Sequence, residues 1–298
     1  MANTINLVEK MLPLIDEVYK KEAKSAILEA PAEFVRETMD ANTIKIAKLA
    51  MVGLGNYSKT TGFPEGDIIL TWETHQFSND RGRRFSIDRM DDVESFGLVS
   101  ARMVGEYLRA YVIPEVDAYR FSKIATNAGT NPAGATLTSS TAKEALDTGI
   151  VTLQEKEVDE SRMVIFMTPT VAQLLSSNIT RTVVNGEKNV NNVLESYNGI
   201  QIIRVPQNRF YKGITLNAGA NANAGGYVKT QTTGADINFI VMDKMACYNV
   251  TKSNVAKFLT PDENQNKDAY QFDYRLYHDS FVLDNKKDGI YVHTKVAG

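Results

Sequence analysis

The residue types that most often carry catalytic or metal chemistry are few in this sequence. The single cysteine, Cys247, cannot form an intrachain disulfide, and it lies in the apolar run NFIVMDKMACYNV, where a free cysteine typically behaves as a small buried hydrophobe. The three histidines, His75, His278 and His293, are far apart in strand-like sequence. An isolated strand histidine is more often a core or surface residue than a metal ligand. We therefore predict no catalytic thiol, no metal site and no cofactor.

The short motifs of common enzyme classes are also absent. The sequence has no phosphate-binding GxxxxGK[ST], no HExxH, no paired CxxC, no GxSxG and no acidic calcium loop. Gly53 and Gly55 lack the third glycine of a dinucleotide-binding loop, so we interpret them as turn glycines. The sequence gives no positive reason to propose an enzyme, although a soluble α/β enzyme or binding protein of an unrecognised type stays open as an alternative.

Composition restricts the function classes further. The chain has 298 residues, 43% of them hydrophobic and 23% charged, with a net charge of −3, which is ordinary for a globular protein. No stretch reaches the roughly 18 uncharged apolar residues of a membrane helix, and the N-terminus lacks the pattern of a signal peptide. We expect a cytoplasmic protein that contacts no membrane. A protein that coats nucleic acid stoichiometrically should be basic, and this one is not.

The densest charge cluster, residues 80–94, allows two interpretations. Arginines and acids nearly balance in DRGRRFSIDRMDDVE, whereas a nucleic-acid site needs unopposed cations. The cluster is therefore either a solvated surface with weak salt bridges or an ion-pair network across a subunit boundary. Its four arginines are Arg81, Arg83, Arg84 and Arg89.

The pattern from Thr43 to Phe77 predicts a two-stranded ribbon. Apolar residues alternate from Thr43, the stretch SKTTGFPEGD at 58–67 is rich in turn residues, and IILTWETHQF at 68–77 returns as a strand. An isolated ribbon of this kind is marginal in water because it buries too little surface. Either the remainder of this chain or another subunit must therefore cover Ile68, Leu70 and Trp72.

Helical periodicity is strongest further along the chain. The first 30 residues are predicted to be helical, and an apolar stripe with Tyr107 and Tyr111 predicts a long helix over 98–127, kinked near Pro114. Beyond residue 140, helices and buried strands alternate as in an α/β subdomain. Met163–Met167 is predicted to be a short buried strand, and Thr168 is predicted to cap the next helix, with Pro169 in its first turn. The segments 270–283 and 289–296 are predicted to form a C-terminal hairpin that completes a sheet begun before residue 140.

The whole chain resembles the major capsid proteins of tailed bacteriophages, which have the Hong Kong ninety-seven type of shell fold. The resemblance rests on the order of the elements and on three segments, VRETMDANTIKIAKL (35–49), GDIILTWETHQFSNDRGRRFSIDRMDD (66–92) and IPEVDAYRFSKIA (113–125). It implies an α+β fold with an N-terminal arm at 1–39 and an extended loop hairpin at 40–88. A peripheral domain with the long spine helix would comprise 89–136 and 258–298, and an axial α/β domain, 137–257, would be inserted into it.

The resemblance also implies a function and partners. The chain would be a non-enzymatic subunit that self-assembles through hexameric and pentameric capsomers into an icosahedral shell around double-stranded DNA. A portal and a separate scaffolding protein would take part, the latter because no long extension precedes Thr43. The shell would assemble in the bacterial host cytoplasm and become the virion capsid. The alternative within this fold is the shell of a cellular, encapsulin-type nanocompartment.

Specific residues follow from the same resemblance. If residues 43–77 form the extended loop, then Met51, Leu54, Phe63 and some of Ile68, Ile69 and Leu70 should be unusually exposed in an isolated subunit. Pro114 would bend the spine helix. The residues predicted to line the subunit interface are Leu54, Phe63, Ile69, Leu70, Trp72, Arg81, Arg83, Arg84 and Arg89.

Overall fold

The computed structural model describes residues 23–29, 36–37, 42–94, 104–178, 194–219 and 224–296. The helix predicted for the first 30 residues lies almost entirely outside the described residues. Within that stretch the structure shows a short 3-10 turn, Ala26–Leu28. Among the helices that are described, none has the length and apolar content to cross a membrane.

The predicted ribbon is present. Strand β2 (Thr43–Met51) and strand β3 (Ile68–Gln76) pair antiparallel over their whole lengths, and the two-residue strand β1 (Arg36–Glu37) adds to the edge of β2. The alternation of apolar and polar residues in both strands accounts for this pairing. We call residues 43–76 the ribbon and residues 52–67 its tip.

A second, three-stranded sheet follows the ribbon directly. Strand β4 (Asn79–Asp88) pairs with strand β12 (Ala269–Val282), which pairs in turn with strand β11 (Cys247–Leu259), all antiparallel. A short helix, α1 (Arg89–Glu94), continues from β4. The arginine-rich segment is thus an edge strand held by residues that come almost 200 positions later in the sequence.

The long helix predicted over 98–127 is described from residue 104 to Thr126. Helical residues 104–107 lead into a π turn, Leu108–Val112, and then into helix α2 (Ile113–Thr126). The amide of Ile113 donates to the carbonyl of Leu108, five residues back, rather than four. Pro114 follows at once and has no amide hydrogen to continue the ladder. The widened turn therefore ends two residues before Pro114, the residue predicted to bend the helix.

A third, five-stranded sheet lies further along the chain. Its strands are β5 (Met163–Met167), β6 (Ser196–Tyr197), β7 (Ile200–Arg204), β10 (Ile237–Asp243) and β13 (Ile290–Thr294). Their order in the sheet is β13-β10-β5-β7-β6, and β5 and β7 run parallel. All residues of β5, β10 and β13 are buried, as expected for strands covered on both faces.

Helices α3 (Ser139–Glu155) and α4 (Pro169–Asn178) cover one face of the five-stranded sheet. Thr138 caps α3 through a reciprocal hydrogen-bonded pair with Thr141, and Thr168 caps α4 just before Pro169, as the sequence predicts. A small hairpin, β8 (Ile214–Leu216) and β9 (Tyr227–Lys229), lies apart from this sheet.

Helix α2 packs against both larger sheets. Val116, in its first half, belongs to the same buried cluster as Phe272 of the three-stranded sheet, whereas the ring of Phe121, in its second half, contacts that of Phe166 in the five-stranded sheet. Most side chains of α2 are buried, including two charged ones, Asp117 and Arg120. The helix is the common core element of the two sheets.

The predicted C-terminal hairpin is wrong. Strand β12 belongs to the three-stranded sheet, whereas β13 pairs with β10 in the five-stranded sheet. A 3-10 helix, Asp284–Gly289, carries the chain from one sheet to the other. The physical reason is burial, because the apolar strand β13 is covered on both faces in the five-stranded sheet, and a peripheral hairpin would have left one face in water.

Candidate subunit interface

The ribbon presents one apolar face that the described part of the chain leaves uncovered. Cross-strand register places Leu49 opposite Leu70 and Met51 opposite Ile68, and Trp72 lies on the same face by alternation. All five side chains are exposed, Leu70 by 56% and Trp72 by 44%. A row of large apolar side chains in direct contact with water is typical of an interaction surface.

The base of the ribbon is anchored in the body of the protein. Ile44 and Ile46, which point to the opposite face, are buried against Phe77, Tyr248 and Phe281. The aromatic rings of Phe77 and Phe281 meet edge to face at 5.3 Å. This packing fixes where the ribbon leaves the body, so that its distal part projects with its apolar face free. Ile69 lies on the second face of this distal part and is also exposed.

The tip is internally ordered although its apolar side chains are exposed. Ser58 and Gly62 exchange two backbone hydrogen bonds, of 3.1 and 2.8 Å, and Gly62 adopts the left-handed conformation that this tight turn requires. The rings of Tyr57 and Phe63 lie 4.9 Å apart, and Phe63 is 84% exposed. Leu54 is fully exposed. The exposure predicted for Met51, Leu54, Phe63, Ile68, Ile69 and Leu70 is thus confirmed, and their contact with another subunit stays a prediction.

Arg81 and Arg84 of β4 point to opposite faces of the three-stranded sheet, according to strand alternation. Arg84 points outward and binds both carboxylate oxygens of Asp273, at 2.7 and 3.0 Å, which lowers the pKa of Asp273 below its usual range. Arg81 points inward and binds Glu115 of α2 at 2.7 Å. Both therefore have carboxylate partners inside the chain.

The remaining two arginines differ in their partners. Arg89, at the start of α1, lies 2.5 Å from Asp262 and 2.9 Å from Asp268 in the loop before β12. Arg83 donates to the carbonyl of Gly219 at 3.1 Å, and among the described residues no carboxylate lies within ion-pairing distance of it. Arg83 is consequently the arginine of the cluster with most capacity to bind a group outside the chain.

The sequence did not indicate which residues these arginines bind. Asp273 and Glu115 lie 189 and 34 positions from their arginine partners, and nothing in their local sequence marks them. Register with β12 supplies this information, since Arg84 and Asp273 are direct cross-strand neighbours.

Cys247 and two of the three histidines are buried, whereas His75 is half-buried beside Glu73. Cys247 is buried beside Ser280, and burial raises the pKa of its thiol to about 11. His278 and His293 are also buried. Across the described ranges, no group of three or more His, Cys, Asp or Glu side chains is arranged to hold a metal ion.

Comparison with known proteins agrees on the fold. No protein-family model and no curated protein sequence matches the chain. The capsid structure of the cyanophage P-SCSP1u matches with a TM-score of 0.60 at 16% identity, over 88% of this chain and 86% of that chain. A structure from Mycobacterium phage Che8 matches with a TM-score of 0.58 at 14% identity, over 85% of each chain.

The chain also matches a virus-like particle. The virus-like particle from Pyrococcus furiosus has a TM-score of 0.51 at 12% identity, over 96% of this chain and 99% of that chain. The chain therefore has the mixed helix and sheet fold of phage capsid subunits, and the resemblance found in the sequence is confirmed at the level of the fold.

Proposed function

We propose that the chain is a major capsid subunit that assembles with copies of itself into an icosahedral shell around double-stranded DNA. The observation that supports this most directly is the exposed apolar face of the ribbon, whose base is anchored and whose tip is ordered. At about 25 cal/mol per Å², covering roughly 400 Å² of apolar area would contribute on the order of 10 kcal/mol before ordering costs. In an assembly of identical subunits, a neighbouring copy can cover this apolar face.

The proposal includes an organisation for the subunit. Residues 1–39 would be an arm, 40–88 the extended loop, 89–136 with 258–298 the peripheral domain, and 137–257 the axial domain at the centre of hexameric and pentameric capsomers. Strand β13, within 258–298, would complete the five-stranded sheet of the axial domain. The interface would include Leu54, Phe63, Ile69, Leu70, Trp72, Arg81, Arg83, Arg84 and Arg89.

The proposed partners follow from this role. A scaffolding protein would guide assembly in the bacterial host cytoplasm, and a portal would admit the DNA. With a net charge of −3, the shell would enclose DNA without binding it stoichiometrically or reading its sequence. No catalytic activity is part of this function.

The test is assembly of the purified chain. We expect size-exclusion chromatography and negative-stain microscopy to show capsomers or shells, whereas an enzyme should elute near 33.1 kDa or a small multiple. Replacing residues 56–66 with a short glycine linker should leave a soluble, folded subunit that no longer closes into shells. Unchanged shells from this deletion, or a monomeric intact chain under all assembly conditions, would refute the proposal.

The second candidate function is that of a shell protein of a cellular, encapsulin-type nanocompartment. It is supported by the near-complete coverage of the virus-like particle from Pyrococcus furiosus. An encapsulin-type nanocompartment would contain enzymes, whereas a capsid would contain DNA. Nuclease-protected DNA in particles isolated from the native source would support the capsid, and protein cargo without DNA would support the nanocompartment.

A further inference from the structure

The carboxylate of Asp117, on helix α2, is fully buried and binds a segment from the start of the chain. The amide of Lys24 donates to Oδ2 at 3.1 Å, and the amide and hydroxyl of Ser25 donate to Oδ1 at 3.1 and 2.7 Å. The guanidinium of Arg209 approaches Oδ2 at 3.4 Å. Two adjacent residues of one short segment thus supply three of the hydrogen bonds to a buried charge.

The rest of that segment lies in the same groove. Arg120, also fully buried, donates to the Ser25 hydroxyl at 3.2 Å and lies 3.7 Å from the carboxylate of Glu29. Asn249 of β11 donates to the Ser25 carbonyl at 3.3 Å and forms a parallel bridge with Glu29. Leu28 is buried among the core residues that α2 contributes. We call residues 23–29 the clasp.

The groove contains countercharges of its own. Asp117 is paired with Arg209, and Arg120 lies one turn along the same helix. If the Asp117 carboxylate had no partner other than the clasp, releasing the clasp would leave an unpaired buried charge at a high cost in free energy. Because Arg209 does not belong to the clasp, its pairing with the carboxylate would remain after the clasp is released, and an open groove would be electrostatically tolerable.

The apolar part of the contact is small. Leu28 and the small Ala23 are buried, whereas Ile27 is 36% exposed. Segments with few buried apolar contacts open locally, with free energies well below that of global unfolding. The specific recognition is therefore polar, through Ser25, and the apolar anchoring comes mainly from one leucine.

We propose that the groove lined by Asp117, Arg120, Arg209 and Asn249 is a peptide-binding surface, and that its occupant is the clasp of the same chain, held reversibly. When the clasp is docked, residues 23–29 are tied to α2. When it is released, these residues are free and the groove on α2 is open. This inference concerns a contact within the subunit and does not depend on shell formation.

Hydrogen exchange of the unmodified full-length chain tests reversible docking. We expect the amides of residues 24–29 to exchange about a hundredfold faster than those of β5 and β10, yet at least about tenfold slower than unprotected amides. Protection equal to that of β10 would show that the segment is an integral part of the core. No protection at all would show that it is not docked. Either result would overturn the proposal.

A synthetic peptide with the sequence of residues 21–31, carrying a fluorophore, tests recognition by the full-length chain. We expect saturable binding by fluorescence anisotropy as the clasp opens. A control peptide with Ser25→Ala and Leu28→Asp should bind at least about tenfold more weakly, as should the chain variant Asp117→Asn, because a hydrogen bond to a charged group is lost in each case. Absence of binding, or equal binding of both peptides, would overturn the proposal whether or not Asp117→Asn folds.

Discussion

Arg275 of β12 lies directly opposite Gly82 of β4. Because Gly82 has no side chain, the guanidinium of Arg275 can pass over this position and bind both carboxylate oxygens of Asp80, at 2.9 and 2.5 Å. This hydrogen bonding lowers the pKa of Asp80. A Cβ atom at position 82 would lie 3.0 Å from the carbonyl oxygen of Tyr274, a backbone atom that cannot easily move.

We therefore expect Gly82→Ala to destabilise the protein, although alanine normally stabilises a strand relative to glycine. Overpacking against the backbone should lower the free energy of unfolding by about 1 kcal/mol, measured by urea denaturation. Ser86→Ala, on the same face of β4, is the control and should change it little. A more stable Gly82→Ala variant would show that the strand relaxes without cost.

The apolar face of the ribbon gives the sharpest assembly prediction. Leu70→Lys should abolish or strongly reduce shell formation, because it places a charge in the proposed contact, while the melting temperature of the subunit changes little. Val151→Lys is the matched control, since Val151 is a similarly exposed apolar residue on α3, 48% against 56%. Equal effects of the two substitutions on assembly would contradict a specific role of the ribbon.

Arg83 and Arg84 should respond differently to charge reversal. Arg84→Glu breaks the pair with Asp273 and places two acids together, so a second change, Asp273→Arg, should restore stability. The exposed pair itself should contribute no more than about 1 kcal/mol. Arg83→Glu should impair assembly while stability changes little, because like charges at an interface cost several kcal/mol, whereas the substitution removes only the exposed hydrogen bond to Gly219 inside the chain. Normal shells from Arg83→Glu would show that this arginine faces solvent.

Pro114 can be tested through the π turn that precedes it. Pro114→Ala restores a backbone amide, so the helix can return to regular α-helical bonding through this region. We expect a folded subunit whose shells change in diameter or fail to close, as measured by electron microscopy. Unaltered particles would count against a role of this turn in curvature.

Acid should destabilise the protein through His278. Burial and the nearby charge of Arg120 lower its pKa from the ordinary 6.5 to about 3. Between these values the unfolded chain binds the proton and the folded one does not, so stability falls as the pH drops below about 6.5. His278→Gln should reduce that dependence by at most about 1.4 kcal/mol per pH unit. The free energy of unfolding of both chains is measured by urea denaturation between pH 4 and pH 7. The prediction would be refuted if it changed with pH equally in His278→Gln and in the parent chain.

Local patterns were sufficient to predict much of this fold. The alternation in β2 and β3, the apolar stripe around Tyr107, the buried run of β5 and the cap at Thr168 each depend on neighbours in sequence. The pairing of β13 with β10 does not depend on neighbours in sequence, because long-range packing determines which strands pair. The predicted hairpin was wrong for this reason.

The buried charges show the same limit. Asp117 and Arg120 are three residues apart on a helix, a spacing that usually indicates an exposed ion pair. They are buried because α2 is covered by both sheets and by the clasp. The exposure of the ribbon tip followed from the resemblance to phage capsid proteins, because the residues alone left open whether this chain or another subunit covers the ribbon.

The pairing of β4 with β12 has a consequence for synthesis of the protein. The ribbon and β4 leave the ribosome early, but β4 can find its ladder partner only after residues 269–282 have been made. Such non-local pairing is slow to form. A nascent chain therefore displays its ribbon before the sheet at the ribbon's base is complete, and chaperones that bind exposed apolar strands should be most needed in that interval.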